Sequence, residues 1–159
     1  MPEHESARGE LDHIDMAILA ALQQDARMSN TDLARTVRIA ESTCHKRVRA
    51  LVAAGVITGF HAAVDSAALG LGLEALIAIR LHAHARGDLR RFQAYLERLP
   101  ATRHVYFVAG DRDFLLHAAV RDAAALRELV SDTLSVREEV AATNTSLIFD
   151  HGPGRSPLG

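Results

Sequence analysis

The sequence predicts a two-part α+β protein, a winged helix-turn-helix followed by a βαββαβ unit, on three observations. Between Ser29 and Phe60 two short stretches of helical periodicity are separated by a tight connection, and a Gly-led segment follows them. From Leu73 the apolar period drops to two, and strand-like and helix-like stretches then alternate to Phe149. Charge is also unevenly spread: the chain has a formal net charge of −2, yet Arg27 to His61 holds six basic residues against two acidic ones.

Taken in order, Ser29 with Asp32 resembles a capping box, in which a hydroxyl satisfies a free amide of the first turn and an acid favours the positive helix end. Leu33, Ala34 and Val37 then fall on one helical face, and Cys44, Val48, Leu51 and Val52 form the next periodic set. Arg38 to Glu41 leaves room for only a short turn between them. Ala53-Ala54-Gly55 ends the second helix, since Gly accepts the left-handed conformation found there, and it leads into a hairpin that would form the wing.

With Cys44, Val48 and Leu51 turned inward, the 100° helical step leaves Ser42, His45, Lys46 and Arg49 outward. Arg and Lys can donate to guanine edges, and all four side chains can contact phosphates. Thr43 and Arg47 complete the expected DNA-contacting set, although Arg47 sits nearer the buried flank, where holding a neighbouring carboxylate is an equal alternative. A solvated helix face is the bland reading of any one of these residues. The turn and wing around them favour double-stranded DNA, and a basic module on an acidic chain is the matching electrostatic footprint.

In the second part, Ala75, Ile77, Ile79 and Leu81 alternate in a strand predicted over residues 73–84. Asp88 opens a helix with Leu89, Phe92, Leu96 and Leu99 on one face, and Pro100 stops it. Strands over 102–109 and 113–120 flank Gly110-Asp111-Arg112 as a hairpin. Asp122 caps a second helix carrying Leu126, Leu129, Val130 and Leu134, and residues 140–149 give a last strand. This order is ferredoxin-like, with two helices on one face of an antiparallel sheet. Strands around Leu76–Ala78 and Tyr106–Val108 carry apolar residues on both sides, so the other face is expected to pair with a second copy.

Several classes of chemistry find no support. The chain has one cysteine, Cys44, at an inward helical position, and a single thiol makes no internal disulfide. Neither a signal peptide nor a long apolar span is visible, so no membrane association and a cytoplasmic location are expected. His82 and His84 share a strand face, but two ligands do not make a closed metal site, and none is expected. Nucleotide-binding loops and nucleophile motifs are absent from the sequence. With no Trp and few aromatic residues, a stacking platform for single strands is not expected either.

Leu11 to Arg27 (LDHIDMAILAALQQDAR), Thr31 to Val37 (TDLARTV), Arg47 to Leu51 (RVRAL) and Gly55 to Phe60 (GVITGF) together resemble the Lrp/AsnC, or feast/famine, family of transcription regulators. The resemblance runs from Leu11 to Phe149. It implies a winged helix-turn-helix over 11–60, a linker over 61–72, and over 73–150 a RAM domain, similar to ACT domains, that binds an effector and assembles. Homodimers joining into tetramers or octamers are implied with it. Residues 1–10 and the Gly-, Pro- and Ser-rich 151–159 are expected to be disordered. The sequence departs from the family pattern at Ala40, where a capping Ser is common, and at Thr43, where a small residue or Pro is frequent.

By the same resemblance, Val108 to Asp113 (VAGDRD) is similar to the turn that lines the family's effector pocket. An amino-acid effector needs an acid for its ammonium group and amides or hydroxyls for its carboxylate. Asp111 or Asp113 is suited to the first, and Gly110, Thr143 and Thr145 to the second. An ordinary polar hairpin turn and ordinary strand threonines are the alternative. The expected function is sequence-specific, effector-modulated regulation without catalysis. Two other readings stand beside it: a sirohaem-decarboxylase-like enzyme using His104, Arg112 and His117, and an effector-independent protein that organises DNA.

Overall fold

Asp12 opens the first helix with a full capping box. Its carboxylate accepts from the Ile14 and Asp15 amides at 2.9 Å, while the Asp15 side chain accepts from the Asp12 amide at 3.2 Å. The structure, a computed structural model, describes residues 11–150 and 152. The expected disordered ends, 1–10 and 151–159, lie outside the described residues apart from Gly152.

The chain divides into two units, at Ala63 and Val64. The first holds α1 (His13–Gln24), α2 (Asn30–Val37) and α3 (Glu41–Ala53). Ile18 and Ala21 of α1, Leu33 and Ala34 of α2, and Cys44 and Leu51 of α3 make its buried core. Ser29 caps α2 as expected, its hydroxyl accepting from the Asp32 amide at 3.1 Å. Arg38 closes α2 in the left-handed conformation, at φ 58°, and Gly55 does the same for α3 at φ 69°. Behind Gly55 the Val56 amide reaches the Leu51 carbonyl at 2.9 Å, closing a Schellman motif.

The stretch Leu11 to Arg27, matched through the family resemblance, forms α1, and Asp12 with Asp15 three residues on is its physical signal; one expectation for this unit needs correction. The Gly-led hairpin is not formed: no strand occurs over residues 54–63. Val56 and Ile57 instead pack on the helical core, and the chain beyond Gly59 offers no tight-turn pair and no second strand to hydrogen-bond.

The second unit has β1 (Leu73–Leu81), α4 (Leu89–Glu97), β2 (Thr102–Phe107), β3 (Phe114–Val120), α5 (Ala123–Glu128) and β4 (Val140–Ile148). The strands lie in the order β2-β3-β1-β4, antiparallel throughout, which is the ferredoxin-like order. The predicted second helix is half π-helical, over Leu129–Leu134. Phe92, Leu96, Leu126 and Leu134 pack on Ala75, Ile77, Ile79, Phe114 and Leu116, so both helices cover one sheet face. The register puts Leu76, Ala78, Tyr106, Leu115 and His117 on the opposite face, which is half-buried to exposed. The first strand stops at Leu81, three residues before the predicted end. His82 and His84 therefore lie at the start of a 3-10 helix (Ala83–Asp88), not on a strand face, and their rings stack at 5.5 Å.

Candidate DNA-contacting face and effector site

The start of α3 carries no side-chain cap, because Ala40 has nothing to donate or accept. A tether from α2 helps place it instead: the Asn30 side-chain amide donates to the Glu41 carbonyl at 3.0 Å. On the other flank, Arg47 donates to Asp12 and to Asp15, each at 2.8 Å, and so fastens α3 to the capping box of α1. These contacts raise the Arg47 pKa further, with the Asp15 bond the largest cause. The Asp15 amide first, and Arg47 after it, hold the Asp12 carboxyl below the ordinary aspartate range. Through Nη1, Arg47 thus takes the carboxylate-holding alternative that its place on the buried flank offered.

The rest of the set stands free on α3. Ser42, Thr43, His45, Lys46 and Arg49 are exposed, and neither Lys46 nor Arg49 enters an ion pair among the described residues. Ser42, His45, Lys46 and Arg49 are spaced i, i+3, i+4 and i+7, so they form one stripe opposite buried Cys44 and Leu51. Burial pushes the Cys44 thiol up, as suits a packing residue and not a reactive one.

The expected effector residues are less closely gathered. Gly110 turns the β2–β3 hairpin at φ 125°, a left-handed-side conformation that favours glycine, and Asp111 is almost fully exposed. Asp113 points the other way. One oxygen of its buried carboxylate accepts from the Leu81 amide at 2.7 Å, and the other lies 3.0 Å from Arg86 Nε. Its charge is already satisfied within the unit, so holding the end of β1 is the role its geometry gives it.

Thr143 and Thr145 do share a face, and they pair with Ile79 and Ile77 across the β1–β4 ladder. Asp113 meets the same level of β1 from the β3 side, donating its amide to the Ile79 carbonyl at 2.9 Å. One strand therefore separates Asp113 from Thr143, about 10 Å at the usual strand spacing. Thr143 has a hydroxyl contact of 3.5 Å with Ser135.

On the open sheet face, His104 and His117 meet through their Nδ1 atoms at 3.3 Å, and His117 Nε2 lies 2.8 Å from Glu74. Arg112 is not with them. It sits in the hairpin beside Asp111, ahead of β3 and five residues before His117, or roughly 17 Å of extended chain. Among the described residues no three His, Cys, Asp or Glu side chains are grouped to hold a metal ion. No helix among them is long and apolar enough to cross a membrane.

The profile described as winged helix-turn-helix DNA-binding matches residues 11–58, and that of the Lrp/AsnC ligand binding domain matches residues 74–151. The HTH-type transcriptional regulator AldR of Mycolicibacterium smegmatis is 51% identical over 149 residues, covering 94% of this chain and 87% of the relative. Among solved structures, Mycobacterium tuberculosis AldR superposes with a TM-score of 0.81 at 45% identity, over 94% of this chain and 99% of that one. A transcriptional regulator of Neisseria meningitidis, solved with L-methionine, gives a TM-score of 0.84 at 28% identity, over 94% and 96%. A fastened α3 with an uncommitted basic stripe, a ferredoxin-like second unit and these likenesses over nearly the whole length make the chain a member of the Lrp/AsnC family of DNA-binding transcriptional regulators.

Proposed function

We propose that α3 reads double-stranded DNA from a major groove, with Lys46 and Arg49 reaching base edges or phosphates and Ser42, Thr43 and His45 contacting the backbone. The observation that carries this reading is the stripe itself: Lys46 and Arg49 have no ion-pair partner among the described residues, while Arg47 beside them is paired through Nη1 with Asp12 and Asp15. An amino acid or related small molecule, bound where second units assemble, modulates the output by favouring one assembly over another. The methionine complex of the Neisseria relative supports that ligand class. Gly110, Asp111, Thr143 and Thr145 remain the residues proposed to meet the effector, with Asp113 holding the end of β1 beside their turn.

The uncovered face of the sheet, where Leu76, Ala78, Tyr106 and Leu115 lie beside His104 and His117, supports pairing of two copies, with higher assembly into tetramers or octamers. The protein acts in the cytoplasm by binding and not by catalysis. Fluorescence anisotropy against DNA from the neighbourhood of its own gene, with and without each of the twenty amino acids, tests both halves. Loss of binding in a Lys46→Ala, Arg49→Ala double variant is expected. Undiminished binding by that variant at physiological salt would refute the α3 assignment.

A further inference from the structure

Spacing of i, i+4 and i+7 along α4 puts Arg91, Tyr95 and Arg98 on one stripe. The stripe walls a cleft of about 580 Å³, within the range usual for small-molecule sites, and Arg137 and Glu139 line it too. Part of this lining is fixed internally. Arg137 lies 4.0 Å above the Tyr95 ring and is ion-paired to Glu139 at 2.6 Å, while the Tyr95 hydroxyl donates to the Thr133 carbonyl at 3.2 Å. Asp88, the other acid of the cleft, is engaged as the cap of α4, accepting from the Arg91 amide at 3.3 Å.

Arg91 and Arg98 are different. Both are exposed, and neither guanidinium makes a hydrogen bond or an ion pair within 4.0 Å among the described residues; Arg91 acts on Glu139 only at longer range, adding to Arg137, the main cause, in holding that carboxyl below the ordinary glutamate range. Arg91 also stands in the first turn of α4, where the helix dipole disfavours a cation and favours an anion. A solvated helix face would explain free arginines on a convex surface. It does not explain why they flank a concave shelf made of an aromatic ring and a guanidinium already neutralised by Glu139. Seven residues separate them, about 10 Å along the axis, a gap that two extended arginine side chains can close on one oxyanion.

We propose that this cleft binds a small organic anion, with its carboxylate or phosphate forked between Arg91 and Arg98 and its apolar body against the Tyr95–Arg137 shelf. The site is separate from the effector residues proposed above, since none of Gly110, Asp111, Thr143 or Thr145 lines it.

Phenyl phosphate and benzoate are the probes, with neutral benzamide as control, titrated into the full-length protein and followed by thermal shift and amide NMR. Saturable binding of at least one anion is expected, with no comparable response to benzamide. In Arg91→Gln, Arg98→Gln the dissociation constant should rise at least tenfold with the circular dichroism unchanged. If that variant misfolds, Arg98→Gln alone, at the exposed end of α4, should still weaken binding several-fold. A response to phenyl phosphate only assigns a phosphate ligand, and a response to benzoate assigns a carboxylate. No saturable binding of either at millimolar concentration, equal affinity in the glutamine variants, or benzamide binding as well as benzoate would each overturn the site. DNA binding through α3 does not enter the assay, so the two readings fail independently.

Discussion

Arg47 reaches back 35 residues to Asp12, at 2.8 Å, and joins α3 to the residue that caps α1. The same guanidinium takes Asp15, so one side chain on α3 and one capping box on α1 form a single connected group. Helix position and helix initiation are thereby set together.

Arg47→Met should therefore lower the melting temperature of the first unit and weaken DNA binding without removing any DNA-contacting side chain. The Asp12 carboxyl is depressed in the folded state, so its contribution is full above its unfolded-state pKa, near 4, and is lost as pH falls through the lower folded value. Calorimetry at neutral pH and below about pH 4 checks both parts. The deficit of the variant should shrink in acid, where the Asp12 carboxylate of the wild type is protonated.

Lys46 and Arg49 should separate by what they touch. An arginine forked onto a guanine edge is worth about 1–3 kcal/mol and relaxes specificity at one base when removed. A phosphate contact weakens all sequences alike and lowers the salt dependence by about one ion. Alanine variants of each, titrated against operator and mutated operators at several salt concentrations, assign the roles.

Asp113→Ala should destabilise the second unit by about 1–3 kcal/mol, because the buried Leu81 amide then loses its acceptor. Asp113→Asn keeps an oxygen for that amide and should cost less, the more so because Arg86 is half-exposed. Urea titrations of the full chain give the difference. A variant that loses its effector response while keeping full stability would restore Asp113 to the ligand site.

Arg38 ends α2 with a side chain in the left-handed region, where non-glycine residues pay roughly 1–2 kcal/mol. Arg38→Gly should recover up to about 1 kcal/mol after the added freedom of the unfolded chain is subtracted. Thermal or urea unfolding measures it, and α3 should remain in place because Gly55 closes its far end independently.

What could be read from the sequence was periodicity and punctuation. Ser29, Asp88 and Asp122 cap the helices expected of them, and the alternation of Ala75, Ile77 and Ile79 produced the central strand. The strand ends were less legible: β1 stops at Leu81 because His82 opens a 3-10 helix over Ala83–Asp88, its amide held by the Glu139 carbonyl at 2.9 Å, a contact 57 positions away. The Asp113 environment was hidden for the same reason. Its composition matches a polar turn, and only the folded β1 brings the Leu81 amide and Arg86 to it. The missing wing strand shows the limit of local patterns, since a strand exists only where another strand can pair with it.

Strand β1 is made first and sits in the middle of the sheet, between β3 and β4. A chain leaving the ribosome can close its three helices as soon as Leu51 and Ile57 emerge, through contacts between neighbours in sequence. The apolar ribbon from Leu73 to Leu81 must instead wait for residues 114–120 before one edge is covered, and for 140–148 before the other is. The second unit thus begins life as its own most exposed hydrophobic strand. Destabilising substitutions there should appear first as insolubility in the cell, while changes in the helices appear as lost DNA binding by protein that is still soluble.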